Sequence, residues 1–237
     1  RSACSRRRKK ARAASETTAV TATTPASAGF RRTASEKMYP SVGGRAEMVR
    51  MVYVLAGKPY VDSLAQFAAA REAVSGKNPF KQFPFVVTPS GENVYQSIAI
   101  MHHAAHGTPV WPSDPSRLTQ ALAVAQGAYD LYQHFGGFNA DDAPAKKKFE
   151  EKRAPQFFSA LGEIYASRPY ACGEKPTFAD AIAHEAVAWC VRRNDVCKDL
   201  LAKNEGLKGF MTRFENIPSI KAFMEKQAAA RAVDDSV

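Results

Sequence analysis

The sequence predicts an α+β fold, with a mixed α/β unit over residues 38–107 and an all-α helical unit over residues 113–233. Two observations lead to this prediction. Within residues 38–107, short β-prone runs bounded by turn residues alternate with helical periodicity. Beyond a linker at 107–112, the periodic segments have helical spacing, and helix-capping signals accompany them. Because 45% of the 237 residues are hydrophobic, the chain can bury a core of this size.

The mixed unit is expected to begin with a strand at 38–39 and a helix over 45–56 that ends at Gly57. A second strand follows at 60–64. Residues 83–87 form a third strand with Pro84 at its entry, and a tight turn then leads to a fourth strand and a helix opened by Gln96 and Ser97. With a further helix between the second and third strands, the order is β-α-β-α-β-β-α, a thioredoxin-like arrangement.

The start of that last helix predicts a binding function. A helix N-terminus has free N–H groups, and a serine hydroxyl beside them adds another donor for a carboxylate. We therefore expect residues 79–107 to hold the charged end of a small anionic peptide.

The helical unit opens with a helix over 115–136. A second long helix spans 145–166, and Pro155 is expected to kink or restart it because proline has no N–H to donate. Thr177 and Asp180 have the spacing of a capping box, which marks the start of an apolar helix. The role of this box is folding rather than chemistry.

The positive charge of the chain is concentrated at its N-terminal end. Residues 1–44 hold ten Lys and Arg against two Glu, although the whole chain carries only +10. Residues 1–37 are rich in Ala, Ser and Thr and cannot bury enough apolar surface to offset their ordering entropy. This composition is typical of an organellar leader, plastid or mitochondrial, or of a basic arm that docks into a large assembly. Without such a leader, the expected location is the cytoplasm.

Membrane and metal functions are disfavoured by the sequence. No apolar run approaches the roughly 20 residues that span a bilayer. The four cysteines, at positions 4, 172, 190 and 197, lack Cys-x-x-Cys spacing and are expected to be reduced thiols. His102, His103 and His106 lie near the end of a predicted helix with no further ligand beside them, so no metal site is predicted.

Three segments resemble the sigma class of the glutathione S-transferase family. Tyr39 is followed six residues later by Arg45-Ala46-Glu47 on a helix. Residues 79–84, Pro-Phe-Lys-Gln-Phe-Pro, are similar to the segment before that family's cis-proline, and residues 96–100, Gln-Ser-Ile-Ala-Ile, to its glutathione-carboxylate motif. The resemblance runs from residue 39 to about residue 228, so the basic residues in front form an N-terminal extension.

This resemblance implies glutathione as the co-substrate. Tyr39 would donate a hydrogen bond to the glutathione sulfur and favour the nucleophilic thiolate, with electrostatic support from Arg45. The backbone of Phe83, fixed by a cis bond to Pro84, would pair with the cysteinyl main chain. The other glutathione-binding residues would hold its two ends: Gln82 and Lys77 the glycyl side, Gln96 and Ser97 the γ-glutamyl carboxylate.

The resemblance also implies a hydrophobic substrate site between the two units. Its candidate walls lie on the first helix of the helical unit: Tyr129, Tyr132, His134 and Phe135. Core or dimer packing explains each of these aromatic side chains equally well. Asp130 falls where some sigma-class members place an acid that reaches the partner subunit's glutathione, which implies a homodimer with C2 symmetry.

Two functions therefore fit the sequence. In the first, the chain is an enzyme of detoxification type that attacks a small hydrophobic electrophile or a peroxide with the glutathione thiolate, or isomerises a lipid endoperoxide. In the second, it is a non-catalytic, transferase-like subunit whose basic N-terminal arm docks into a large organellar complex. The candidate site residues favour the first function. The second is favoured by the basic extension and by residues 32–37 before Tyr39, which are more polar than a central strand should be.

Overall fold

A computed structural model describes residues 35–39, 43–62, 78–136 and 142–234, and it describes the side chains of these residues except those of Tyr39 and of 229–234. They form the predicted α+β fold, a four-stranded sheet with two helices followed by a helical unit. Residues 1–34 of the basic extension, the helix expected between the second and third strands, and Lys77 lie outside the described residues. The first strand begins at Glu36, two residues earlier than predicted, so Glu36 and Lys37 belong to the sheet and not to the extension. The docking role of the extension therefore stays a prediction.

The sheet has the strand order β2-β1-β3-β4. β1 is parallel to β2, and β3 is antiparallel to both of its neighbours. The third strand begins later than the predicted residue 83, because Pro84 has no N–H for the ladder. The elements of this unit are β1 Glu36–Tyr39, α1 Arg45–Ala56, β2 Tyr60–Asp62, β3 Phe85–Val87, β4 Asn93–Tyr95 and α2 Ser97–Ala105.

β1 is polar for a strand in the middle of a sheet, and the fold gives its polar groups partners. Glu36 accepts a hydrogen bond from the Tyr53 hydroxyl on α1, and its other oxygen lies 3.1 Å from the His103 imidazole on α2. Burial, together with Glu36, raises the pKa of Tyr53. Lys37 points to solvent, while Met38 is buried in the core. The composition of this strand is therefore compatible with its central place.

The helical unit begins where expected, at Pro115, and its elements follow in close succession. They are α3 Pro115–Gly136, α4 Ala143–Lys148, a π-helical turn Phe149–Arg153, α5 Ala154–Ser167, α6 Phe178–Val191, α7 Asp195–Ala202, α8 Glu205–Glu215 and α9 Pro218–Asp234. The π-helical turn ends at Arg153, two residues before Pro155, where the sequence predicts a kink or restart. A wider turn accommodates a residue that cannot donate to the preceding turn. Among the described residues, no helix is both long enough and apolar enough to cross a membrane.

α6 is the central helix, and it packs against α3 and α1. The predicted capping box at its start is confirmed. Asp180 is fully buried and accepts from the backbone N–H of Thr177 at 2.7 Å and of Ala171 at 2.7 Å. The hydroxyls of Thr177 and Tyr165 also donate to it, at 2.9 and 3.2 Å. One carboxylate thus ties the start of α6 to the preceding loop and to α5.

Candidate functional site

The register of the sheet brings the predicted motifs to one edge. Tyr39 of β1 is paired with Phe85 of β3, and Phe85 is paired in turn with Tyr95 of β4. β1 and β4 end at this row, whereas β3 begins there. Neighbouring strands lie about 4.8 Å apart. The end of β1, the segment before β3 and the start of α2 therefore lie side by side.

The segment before β3 is folded around Asn78. This residue is only 1% exposed, and its Nδ2 donates to the carbonyl of Gln82 at 2.7 Å. Its Oδ1 accepts from the N–H of Phe80 at 2.9 Å. The Phe83–Pro84 peptide bond is cis, as the resemblance implies. Sequence reasoning missed Asn78, although Asn followed by Pro is a turn signal.

The start of α2 has the form expected of an anion site. Gln96, its N-cap residue, has φ 69° and ψ 122°, a conformation that residues other than glycine rarely adopt. Ser97 follows as the first helical residue and is 4% exposed. The first N–H groups of a helix lack intrahelical acceptors and carry partial positive charge. The Nε2 of Gln96 also lies 3.5 Å from the Oε1 of Gln82, so two predicted binding side chains meet here.

The start of α1 faces the same edge of the sheet. The helix begins at Arg45, a half-buried residue. The Gly44 carbonyl accepts from the N–H groups of Glu47 at 3.0 Å and Met48 at 3.1 Å, which closes the first turn. Only the backbone of Tyr39 is described, so the role of its hydroxyl stays a prediction.

Tyr132 is the candidate wall residue that the structure brings to this edge. A Cβ built on Gly44 would lie 2.5 Å from the Tyr132 hydroxyl, and one built on Gly43 would lie 2.9 Å from Cζ3 of Trp189. Tyr129 lies beside Tyr132, with ring centroids 6.1 Å apart. Sequence reasoning missed Trp189 at this edge, because it follows an apolar run on α6 and no local signal marks it as a neighbour of Gly43.

The other aromatic candidates on α3 pack within the helical unit. Phe135 makes an edge contact with Phe149 of the π-helical turn, at 5.3 Å between centroids. The His134 ring lies 5.6 Å from that of Phe157 on α5. These contacts match the packing alternative, and they do not test a second role at a substrate site.

Asp130, the predicted cross-subunit residue, lies on the same helix. It is half-buried, and its Oδ1 accepts from Nε2 of Gln126 at 2.9 Å. Its role toward a partner subunit stays a prediction.

The histidines of α2 form an aromatic cluster. The rings of His102 and His106 stack with their centroids 6.0 Å apart, and Trp111 makes an edge contact with His102 at 4.3 Å between centroids. Burial, and then the two neighbouring imidazoles, lower the pKa of His102 and favour its neutral form. Across the described ranges, no group of three or more His, Cys, Asp or Glu side chains is placed to hold a metal ion.

Comparisons with known proteins lead to the same family as the sequence motifs. Residues 129–227 match the family described as "Glutathione S-transferase, C-terminal domain". Glutathione S-transferase A of Cavia porcellus is 26% identical over 197 residues, which cover 79% of this chain and 88% of that protein. Hematopoietic prostaglandin D synthase of Gallus gallus is 24% identical over 200 residues, which cover 80% of this chain and 94% of that protein. The solved Pi-class glutathione S-transferase of Onchocerca volvulus has a similar fold, with a TM-score of 0.73 at 22% identity, covering 84% of this chain and 96% of that one.

Proposed function

We propose that this chain, which belongs to the glutathione S-transferase family, binds glutathione and activates its thiol for attack on a hydrophobic electrophile or peroxide. The observation that carries the proposal is the row Tyr39–Phe85–Tyr95 across the sheet. In this row the backbone of Tyr39, the cis-proline segment and the start of α2 are neighbours, which supports roles for them in one site. These are the three groups of residues that a γ-glutamyl tripeptide would need.

Each end of glutathione has a chemically suited place in this arrangement. The γ-glutamyl carboxylate would lie at the start of α2, where Ser97 and the first free N–H groups donate to it. Gln96 and Gln82, whose side chains meet at 3.5 Å, would contact the peptide on either side. The sulfur would then point toward the end of β1 and the N-terminus of α1.

Thiol activation follows from electrostatics at that end. A hydrogen bond from the Tyr39 hydroxyl would stabilise the thiolate over the thiol, which lowers the thiol pKa. The positive end of the α1 dipole and the Arg45 guanidinium would act in the same direction. The thiolate would then form a carbon–sulfur bond with an electrophile. With a hydroperoxide it would attack the peroxide oxygen, displace the alcohol and become a sulfenic acid, which a second glutathione converts to the disulfide with loss of water.

We place the activity in the sigma class, because its motifs occur here in order and a Gallus gallus relative carries the name hematopoietic prostaglandin D synthase. A lipid endoperoxide is therefore a substrate to include in activity tests.

We also propose a C2 homodimer, in which Asp130 would reach the partner's glutathione. Sedimentation should give twice the chain mass, and Asp130→Asn should weaken glutathione binding in the dimer.

The test is retention on immobilised glutathione together with conjugation of glutathione to an aromatic electrophile. Tyr39→Phe should keep retention but lower kcat by about 10- to 100-fold, since it removes only a hydrogen bond to the thiolate. Tyr170→Phe, at a half-buried tyrosine of the helical unit, is the matched control and should leave kcat unchanged. Full activity of Tyr39→Phe would remove Tyr39 from the mechanism. A parent protein that neither binds nor conjugates glutathione would contradict the proposal as a whole.

A further inference from the structure

Two glycines, Gly43 and Gly44, lie directly before α1 and are costly to hold in one conformation. Gly43 and Gly44 have φ values of +68° and +56°, a region that glycine enters without steric cost. Glycine also loses more conformational freedom on ordering than any other residue. Gly43 and Gly44 therefore need contacts with side chains of other elements to hold one conformation.

Two aromatic side chains of the helical unit supply those contacts. Trp189 of α6 lies where a side chain on Gly43 would be, with Cζ3 2.9 Å from the position of a Cβ. Tyr132 of α3 lies in the same way against Gly44, with its hydroxyl 2.5 Å from the position of a Cβ. The missing side chains thus leave space that the two rings fill.

The two rings are themselves held in place. Their centroids lie 5.5 Å apart at an interplanar angle of 56°, so each supports the other. The Arg193 guanidinium stacks on the Trp189 ring, 3.4 Å from its centroid, a cation–π arrangement. The pair is therefore a fixed surface that belongs to α3 and α6.

A displacement of Gly44 would move the start of α1. The Gly44 carbonyl is the acceptor for the N–H groups of Glu47 and Met48, at 3.0 and 3.1 Å, and Arg45 is the next residue after it. A shift of Gly44 therefore changes the first helical turn and the place of Arg45. A misplacement of about 1 Å at a catalytic group can cost on the order of 100-fold in rate.

We infer that Tyr132 and Trp189 are positioning residues, which set the conformation of Gly43 and Gly44 and through them the placement of Arg45 at the start of α1. The catalytic part of this inference rests on the proposed function. The structural part, that the rings order the loop, stands without it. Side chains of the helical unit would then influence activation of the glutathione thiol, in addition to lining the proposed site for the second substrate.

The experiment compares Trp189→Ala, Trp189→Phe and Tyr132→Ala with the parent. Amide hydrogen exchange over residues 43–48 should be at least about tenfold faster in both alanine variants, and near the parent rate in Trp189→Phe. In the glutathione conjugation assay, kcat should fall about 10- to 100-fold while KM for glutathione stays within about twofold. The kcat–pH profile should move to higher pH, because a displaced Arg45 and a displaced N-terminus of α1 stabilise the thiolate less.

Phe157→Ala is the matched control, since it truncates a half-buried aromatic residue of α5 that contacts His134. It should lower the melting temperature without speeding exchange over 43–48 or moving the pH profile. Unchanged exchange in Trp189→Ala and Tyr132→Ala would overturn the inference, whatever happens to activity. Faster exchange with an unchanged kcat and pH profile would also overturn it. If the parent does not bind glutathione, the proposed function fails, and exchange alone decides whether the rings order the loop.

Discussion

The side chains of Gln82 and Gln96 meet at the end of the sheet, with Nε2 of Gln96 3.5 Å from Oε1 of Gln82. Gln82 belongs to the turn that Asn78 organises, whereas Gln96 caps α2. The backbone of Gln96 has positive φ, which a residue other than glycine adopts at a cost of order 1–3 kcal/mol. Retaining a glutamine in this conformation is consistent with a function for its side chain.

Gln96→Gly should lower glutathione affinity without lowering the free energy of unfolding. The substitution removes the side chain from the proposed glutathione site but relieves the backbone, so the free energy of unfolding should be unchanged or higher. Glutathione affinity, measured by calorimetry, should fall by about tenfold, the cost of one or two lost hydrogen bonds. Lys81→Gly is a control at the other described non-glycine residue with positive φ in this part of the chain, and should leave affinity unchanged. An unchanged affinity of Gln96→Gly would exclude a binding role.

Gly206 is expected to be intolerant of substitution, whereas Gly209 on the same helix is not. A Cβ on Gly206 would lie 2.5 Å from the Gly162 carbonyl oxygen of α5, and backbone cannot move aside easily. Gly206→Ala should therefore lower the free energy of unfolding by about 1–3 kcal/mol. At Gly209 the nearest atom to a Cβ is Nη1 of Arg213 at 3.4 Å. Gly209→Ala should raise stability by up to about 1 kcal/mol through helix propensity. Denaturant unfolding measures the stability of both variants. Equal changes in the free energy of unfolding for Gly206→Ala and Gly209→Ala would contradict the close packing of α5 on α8.

The capping box of α6 predicts a stability cost at Thr177. Thr177→Ala removes the hydroxyl that donates to Asp180 at 2.9 Å, and should lower the free energy of unfolding by about 1–2 kcal/mol. Thr177→Ser keeps a hydroxyl at this position and should retain most of the parent's free energy of unfolding. Thr119→Ala is a control, since that exposed hydroxyl donates to the Pro115 carbonyl one turn earlier on its own helix. A loss for Thr177→Ser as large as that for Thr177→Ala would argue that the methyl group, and not the hydroxyl, matters.

Asp180 should make stability depend on pH. Burial is the largest cause that raises the pKa of Asp180 to about 6, while its hydrogen bonds act in the opposite direction. Because the folded pKa lies above the unfolded value of about 3.9, this group's stabilising contribution is full below about pH 4. The contribution is lost as pH rises through about 6, since ionising a buried carboxyl costs free energy.

The measurement is the free energy of unfolding of the parent minus that of Asp180→Asn, followed from pH 4 to pH 7. This difference should decrease with rising pH, because only the parent ionises at this position. Asp195→Asn, at a solvent-exposed acid, corrects for titration at the surface. A difference that increases with pH would show that the four donors around Asp180 outweigh the cost of its burial.

Local signals account for much of what could be predicted. The helix start at Ser97, the capping box of Thr177 and Asp180, and the interruption near Pro155 follow from side chains acting on their own turn of backbone. The third strand is shorter than predicted for an equally local reason, the missing N–H of Pro84. The cis bond at Phe83–Pro84 came from family resemblance, since nothing in the local residues distinguishes it from a trans bond.

The sequence by itself determined the order of the elements, their caps and turns, and the motifs that resemble a glutathione site. Only the tertiary structure decided which of these motifs meet. Strand register places Tyr39, Phe85 and Tyr95 in one row. Helix packing brings Trp189 and Tyr132 against Gly43 and Gly44. A glycine leaves space beside the backbone, but which distant side chain fills that space depends on contacts across the whole fold.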